Sequence, residues 1–413
     1  MVESVLGLDY RGCRALLEER LREPAPGRVQ ILTGPRQVGK TTLLLDLARH
    51  RSGGTVYAAA DGPEARLPGF WERTWAEAEY QAHRRRKAYL FLDEVQHVAD
   101  WAIRLKGNWD RLRRERIPLH VVVSGSSAVR LGAGSKESLA GRFERLTLNH
   151  WPASALVGVL GLGRKNAPRD LVRWGSYPGA VPLRSDPARW RAYVRDAIVE
   201  PAIGRDVLAL GVVRKPALLR QVFWICVASP AQIVSVQKLR GRLDDPGSLE
   251  TVAHYLTLLE DAYLVAALER YSARVIRRRS APPKIVVLNN ALLAAGDPLG
   301  APDPSKDPAR FGAWVENACL AHAWNQGQHV SYWREEPFEV DAILDGTWGR
   351  WAIEVKSGPF EVSDIRDLLE FCRREPRFRP LVVTGEKGAA AAGRAGVPSV
   401  TWPEFLLEGP PRD

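Results

Sequence analysis

Gly34-Pro35-Arg36-Gln37-Val38-Gly39-Lys40-Thr41-Thr42 is the stretch from which the fold of this 413-residue chain can be read. It satisfies the pattern G-x-x-x-x-G-K-[ST], and it lies between an apolar run over 29–33 that reads as a buried strand and a helical pattern over 41–49. In that setting the glycines let main-chain N–H groups close around phosphate oxygens, and the start of the helix adds partial positive charge. The nine residues Gly34, Pro35, Arg36, Gln37, Val38, Gly39, Lys40, Thr41 and Thr42 are therefore expected to hold a nucleoside triphosphate. Lys40 would neutralise its outer phosphates and the Thr41 hydroxyl would ligate Mg²⁺. Average residue frequencies give such a pattern by chance in roughly 1 chain in 70 of this length, before the flanking strand and helix are required.

Working outward, the run 89–92 ends in Asp93-Glu94, about fifty residues beyond the loop, where a second metal-facing carboxylate is needed. Asp93 is expected to hold Mg²⁺, commonly through water, and Glu94 to orient or deprotonate the attacking water. The next apolar run, 120–124, ends in Ser124-Gly125-Ser126-Ser127, which puts hydroxyls at the same edge; Ser126 is taken as the group that senses hydrolysis. Apolar runs at 29–33, 55–59, 89–92, 120–124 and 145–148 alternate with helical patterns at 41–49 and 101–113. That alternation predicts a parallel sheet covered by helices on both faces.

Composition is that of a folded protein, with 45% apolar and 26% charged residues. The net charge of +11 favours a polyanionic partner at low salt, although 48 arginines against 11 lysines also fit a bias in the coding sequence. Cys13, Cys226, Cys319 and Cys372 are far apart, so neither a disulfide framework nor a zinc site is expected. No run approaches the ~18 apolar residues that cross a bilayer, and the first residues lack a leader pattern; a cytoplasmic location and no membrane partner are expected.

The predicted organisation is a nucleotide-binding core over 1–150, a helical lid over 151–212, a winged-helix-like region over 213–293, a Pro/Gly/Asp-rich linker over 294–309 and a further α/β domain over 310–413. In the last of these, 311–324 and 362–374 read as helices, and 338–344, 351–356 and 380–384 as strands. Glu316 then lies on a helix, Asp341 on a strand, and Glu354-x-Lys356 closes the next strand. Carboxylates on paired strands can bind one or two Mg²⁺ ions, with a lysine polarising water or the leaving group. The tripeptide alone is weak, since about one acidic-x-Lys match is expected by chance in this composition.

Taken together, the phrases Gly34 to Thr42, Leu92-Asp93-Glu94-Val95-Gln96, Gly125-Ser126-Ser127, Ser138-Leu139-Ala140-Gly141-Arg142, Gly175-Ser176-Tyr177-Pro178, Glu339-Val340-Asp341 and Glu354-Val355-Lys356-Ser357 occur in a characteristic order. In this the chain resembles bacterial and archaeal AAA-type ATPases that carry a C-terminal restriction-endonuclease-like domain. The resemblance implies an α/β fold with a P-loop parallel sheet, a helical lid, a winged-helix middle domain and a C-terminal domain of the PD-(D/E)xK, Holliday-junction-resolvase-like kind. It implies ATP and Mg²⁺ as cofactors, and Arg142 as an arginine reaching a neighbouring subunit's nucleotide, hence a homo-oligomer, a hexameric ring being one form. It also implies a second metal site at Glu316, Asp341, Glu354 and Lys356. Two departures stand out: Gly175-Ser176 replaces a doubled glycine, and Asn289-Asn290 replaces an expected acidic residue.

Lys238, Arg240 and Arg242 and Arg277, Arg278 and Arg279 are candidates for DNA-backbone contacts, with ordinary solvated surface charge as the alternative. Glu250, Glu260 and Asp261 on the helix that would enter a groove repel phosphate, which argues against simple base readout. Three activities share the ATPase core: remodelling or translocation of structured or branched DNA such as Holliday junctions, a nucleotide-dependent switch that binds a protein, and an ATP-dependent structure-specific nuclease.

Overall fold

The apolar runs around the phosphate loop become neighbouring strands of one sheet. The structure, a computed structural model, describes residues 7–51, 54–125, 139–211, 213–243, 248–272 and 281–411. It divides into two compact units, Met1–Asn149 and His150–Asp413.

In the first unit the strands are β1 (Gly7–Leu8), β2 (Val29–Thr33), β3 (Thr55–Ala59), β4 (Ala88–Asp93), β5 (Leu119–Ser124) and β6 (Phe143–Leu148). They run parallel throughout in the order β1-β6-β2-β5-β4-β3. β2 and β5 are buried along their whole length, which is why they read as continuous apolar runs rather than alternating ones. Helices α1 (Tyr10–Arg20), α2 (Lys40–Arg49), α3 (Phe70–Arg85) and α4 (Trp101–Glu115) connect them. Trp71, Trp75 and Ala78 of α3 and Leu105 and Leu112 of α4 pack with Ile31, Leu90, Leu92, Val121 and Val123 of the sheet in one core. Arg84 and Arg85 close α3, where positive charge meets the negative end of the helix dipole.

The parallel P-loop sheet expected from the alternation is thus present. Because β5 lies between β2 and β4, its end separates the phosphate loop from the carboxylates that follow β4.

The second unit begins with helices Ala153–Leu160 and Ala167–Trp174 and continues through helices Pro216–Val227, Val236–Arg240 and Leu249–Asp261. A three-stranded antiparallel sheet follows, with β7 (Gln232–Ile233) and β8 (Val265–Leu268) on either side of β9 (Lys284–Val287). Residues 294–296, expected to open a linker, instead finish a buried helix, Asn290–Gly296, which packs on Ala167–Trp174. Its run of alanine and leucine drives that burial; only beyond it does the Pro- and Asp-rich segment reach solvent.

The last sheet is mixed: β10 (His329–Glu335), β11 (Phe338–Gly346) and β12 (Gly349–Lys356) are antiparallel, and β13 (Arg379–Thr384) and β14 (Ser399–Thr401) extend it in parallel. Helices Pro308–Asn325 and Arg366–Arg374 pack on it. β10, β14 and the closing helix Trp402–Glu408 were not anticipated from sequence. All four cysteines are free, three of them buried. Among the described residues no helix is long and apolar enough to cross a membrane.

Candidate functional site

β2 delivers the chain to the phosphate loop through Gly34, whose φ is +145°. A Cβ there would lie 2.1 Å from the Leu148 carbonyl oxygen at the end of β6, so only glycine fits. Gly39, with φ +98°, precedes α2 and offers no side-chain cap. The first N–H groups of that helix are thereby left for a ligand. Lys40 is only 5% exposed, and its Nζ donates to the carbonyl oxygens of Gly34 (3.0 Å) and Pro35 (2.7 Å). The remaining residues expected to contact nucleotide, from Arg36 to Thr42, lie in the loop or the first turn of α2, with the hydroxyl-bearing Thr41 and Thr42 exposed.

β4 ends with Asp93 buried and Glu94 at the surface of the site. Asp93 accepts from two hydroxyls: Tyr57 of β3 at Oδ2 (3.0 Å) and Ser124 of β5 at Oδ1. Burial, then the neighbouring Asp93 charge, raises the Tyr57 hydroxyl above its usual pKa, so it stays a donor. The Glu94 N–H donates to Ser124 Oγ (3.3 Å), and Gln96 Nε2 donates to Glu94 Oε2. Glu94 itself has φ +51° and ψ +44°, a left-handed conformation costly for a residue with a side chain. Holding Glu94 in that conformation turns its side chain away from the β4 direction and onto the Gln96 amide.

Ser124 of β5 therefore holds both members of the acidic pair, the Asp93 carboxylate and the Glu94 N–H. Tyr57 carries no local signal in the sequence, and Ser124 was legible only as the first of a serine-rich turn. Ser126, expected as the sensing hydroxyl, lies outside the described residues. A buried carboxylate fixed by two hydroxyl donors, a nearby threonine hydroxyl and a buried ammonium fit Mg²⁺ with a triphosphate.

Arg142 sits at the opposite end of the sheet. It directly precedes Phe143, which pairs with Val29 at the start of β2, whereas the phosphate loop leaves the end of β2. At about 3.3 Å per residue the two positions are roughly 16 Å apart along the strand. Arg142 thus does not serve its own chain's loop. Its guanidinium pairs with Asp110 of α4 (2.8 and 3.4 Å) beside the Trp109 ring.

In the second unit, Glu316, Asp341, Glu354 and Lys356 do come together. The register pairing Ala342 with Ile353 places Asp341 beside Glu354, and alternation puts Glu354 and Lys356 on one face. Beside them lies an unanticipated fifth group, Lys284 of β9, only 1% exposed. Its Nζ lies 2.6 Å from Glu316 Oε1 and 3.1 Å from Asp341 Oδ1. Asp341 Oδ2 accepts from the Val355 N–H (2.9 Å), and Lys356 Nζ lies 2.8 Å from Glu354 Oε1.

Burial and then the Asp341 charge push the Glu316 and Glu354 carboxyls up to about 8. Burial opposes the Lys284 charge, but Asp341 and Glu316 outweigh it and hold its pKa above the usual lysine range. Two of the four residues expected at a second metal site, Glu316 and Asp341, thus pair with the Lys284 ammonium, and the other two, Glu354 and Lys356, pair with each other. Among the described residues no cluster of three or more His, Cys, Asp or Glu side chains is set to hold a metal ion. A lysine at the head of an apolar run reads from sequence as a solvated strand end, which is why Lys284 escaped notice.

The two departures Ser176 and Asn289 prove to be partners. The Asn289 side chain accepts from Ser176 N (3.1 Å) and donates to Ser176 Oγ (3.3 Å), and it also lies 3.0 Å from His150 Nδ1. Of the candidate DNA contacts, Lys238, Arg240 and Arg242 are exposed on or beside the helix Val236–Arg240, Arg242 donating to Ser229 Oγ (3.0 Å). Arg277, Arg278 and Arg279 lie outside the described residues.

A six-stranded parallel sheet with a lysine-bearing glycine loop at one strand end and an acidic pair two strands away defines a P-loop NTPase fold. Residues 26–155, which include the P-loop strands, match the family model described as an AAA domain. Residues 166–303 and 311–402 match two domains of unknown function, DUF8612 and DUF4143.

An uncharacterized protein of Mycobacterium tuberculosis is 27% identical over 364 residues, covering 86% of this chain and 75% of its own. One of Haemophilus influenzae is 20% identical over 317 residues, covering 73% of each chain. Among solved structures, the Aeropyrum pernix ORC2 protein is similar over 62% of this chain and 86% of its own, at 16% identity and a TM-score of 0.37.

Proposed function

We propose that the protein hydrolyses ATP with Mg²⁺ and couples the cycle to binding and remodelling or translocation of DNA, structured or branched DNA such as a Holliday junction being the expected substrate. The observation that carries the ATPase reading is the convergence at one sheet edge of buried Lys40, the Asp93 carboxylate fixed by Tyr57 and Ser124, and the adjoining Glu94. Lys40 and the α2 N-terminus would bind phosphates, Thr41 and Asp93 would hold Mg²⁺, and Glu94 would take the proton of the attacking water. Magnesium supplies charge neutralisation between the phosphates. Ser124 and Tyr57 keep the Asp93 carboxylate oriented and its lone pairs partly occupied, leaving the rest for an ion.

Arg142, out of reach of its own loop, is proposed to complete a neighbouring subunit's site in a homo-oligomer, a hexameric ring being the form implied by resemblance. The DNA reading draws support from the net charge of +11 and from exposed Lys238, Arg240 and Arg242. A second reading, a nucleotide-dependent switch for a protein partner, is favoured by the acidic residues Glu250, Glu260 and Asp261 on the helix Leu249–Asp261.

ATP turnover measured alone and with duplex, single-stranded and four-way-junction DNA separates the two. Stimulation that weakens steeply with salt supports DNA coupling. Indifference to every DNA leaves the switch. Turnover that survives Lys40→Ala refutes the assignment of the ATP site itself.

A further inference from the structure

The acidic cluster of the second unit belongs neither to the ATP site nor to the basic surface, and its chemistry differs from what its residue types promise. Nuclease-type carboxylates need an opening for a divalent cation, because Mg²⁺ takes oxygen ligands at about 2.0–2.1 Å in octahedral geometry. Here most of the carboxylate oxygens are already engaged by nitrogen donors. Glu316 Oε1 and Asp341 Oδ1 both face the Lys284 ammonium, and Asp341 Oδ2 is engaged by the Val355 N–H. Among the described residues only Glu354 Oε2 is a buried carboxylate oxygen of the cluster without a hydrogen-bond partner. One such oxygen does not make a metal site, and a dication beside it would confront two ammonium groups.

Lys284 is also built into place. It sits in β9 between β7 and β8. The helix that carries Glu316 is stitched to the same strand by Asn317, whose side chain accepts from Val287 N (2.8 Å) and donates to Val287 O (2.8 Å). Asn325 from the end of that helix donates to Leu288 O (3.0 Å).

We propose that Lys284 is the resident cation of this cluster, standing where a nuclease would keep its divalent metal, and that the C-terminal sheet is a metal-free joint fixed to β9 rather than a cleavage site. The inference goes beyond the ATPase reading and stands or falls separately from it.

The test is Mn²⁺ uptake by the full-length, chelator-stripped protein without nucleotide, followed by the paramagnetic signal of free Mn²⁺. Wild type is expected to show no site that depends on Asp341, and Lys284→Ala to gain one that Lys284→Ala/Asp341→Asn loses. A wild-type Mn²⁺ site abolished by Asp341→Asn or Glu354→Gln overturns the proposal, as does a folded Lys284→Ala protein that takes up no Mn²⁺. Should Lys284→Ala fail to fold, the wild-type and Asp341→Asn titrations still decide. Metal-dependent DNA cutting by wild type that disappears in Asp341→Asn overturns it by a second route.

Discussion

Substituting Gly34→Ala perturbs the phosphate loop through a contact that can be worked out atom by atom. The new methyl carbon would stand 2.1 Å from the Leu148 carbonyl oxygen and 3.0 Å from its carbon. An unstrained carbon–oxygen approach is about 3.3 Å, so the two backbones must part by roughly 1.2 Å. β6 cannot yield easily, because its register with β2 runs from Phe143 to Thr147. The loop must move instead, and the Gly34 carbonyl that positions Lys40 moves with it.

The φ of +145° adds strain of about 1–3 kcal/mol for a residue with a Cβ. That lowers the melting temperature of the first unit by roughly 2–12 °C. Misplacing two main-chain N–H groups that bind charged phosphate, at about 1.5–3 kcal/mol each, weakens nucleotide affinity on the order of 10²–10⁴-fold. Titration with a fluorescent ATP analogue in the presence of Mg²⁺, alongside a thermal melt, reads both quantities. A Gly34→Ala protein that binds nucleotide as tightly as wild type refutes the reasoning about the loop.

Other consequences can be measured in the same preparations. Glu94→Gln should bind ATP normally while turnover falls by about 10²–10⁴-fold, the usual contribution of a general base, and normal turnover would remove Glu94 from that role. Arg142→Ala should lose turnover but not binding, and mixing it with Glu94→Gln subunits should restore part of the rate, since each supplies what the other lacks. A wild-type rate from Arg142→Ala alone would end the intersubunit proposal.

His120, buried on β5 and stacked on Tyr89, has its pKa lowered to about 4, first by burial and then by Lys87. The unfolded chain protonates it near 6.5, so the first unit should lose stability as pH falls from about 6.5 to about 4, by up to ~3 kcal/mol. His120→Gln should flatten that part of the pH–stability curve, and an unchanged slope would show that other groups set it.

Much of the ATP site was legible because its determinants are contiguous. Nine residues in a row specify the turn, the helix start and the cation, and Asp93-Glu94 follows directly on an apolar strand. The parallel sheet was legible too, since burial on both faces imposes continuous apolar runs that any folded context must honour. Residues 294–296, the end of the buried helix Asn290–Gly296, were read as linker because glycine, proline and aspartate just beyond them outweighed a short apolar stretch. Arg142 could be named from a shared phrase, but its distance from its own phosphate loop follows only from the pairing of β6 with β2.

The sequence alone determined the phosphate-loop geometry of this protein, because a strand–loop–helix turn is a local object whose glycines and lysine need no distant partner to be recognised. Tertiary structure decided the rest. Strand order put Ser124 and Tyr57 on Asp93, and packing of the helix Pro308–Asn325 and the last sheet against β9 brought Lys284 to Glu316 and Asp341, 32 and 57 positions away in the chain (316 − 284 and 341 − 284). A buried charge is tolerated only where an opposite charge meets it, and no reading of residue types along a chain shows which ammonium will be enclosed with which carboxylate.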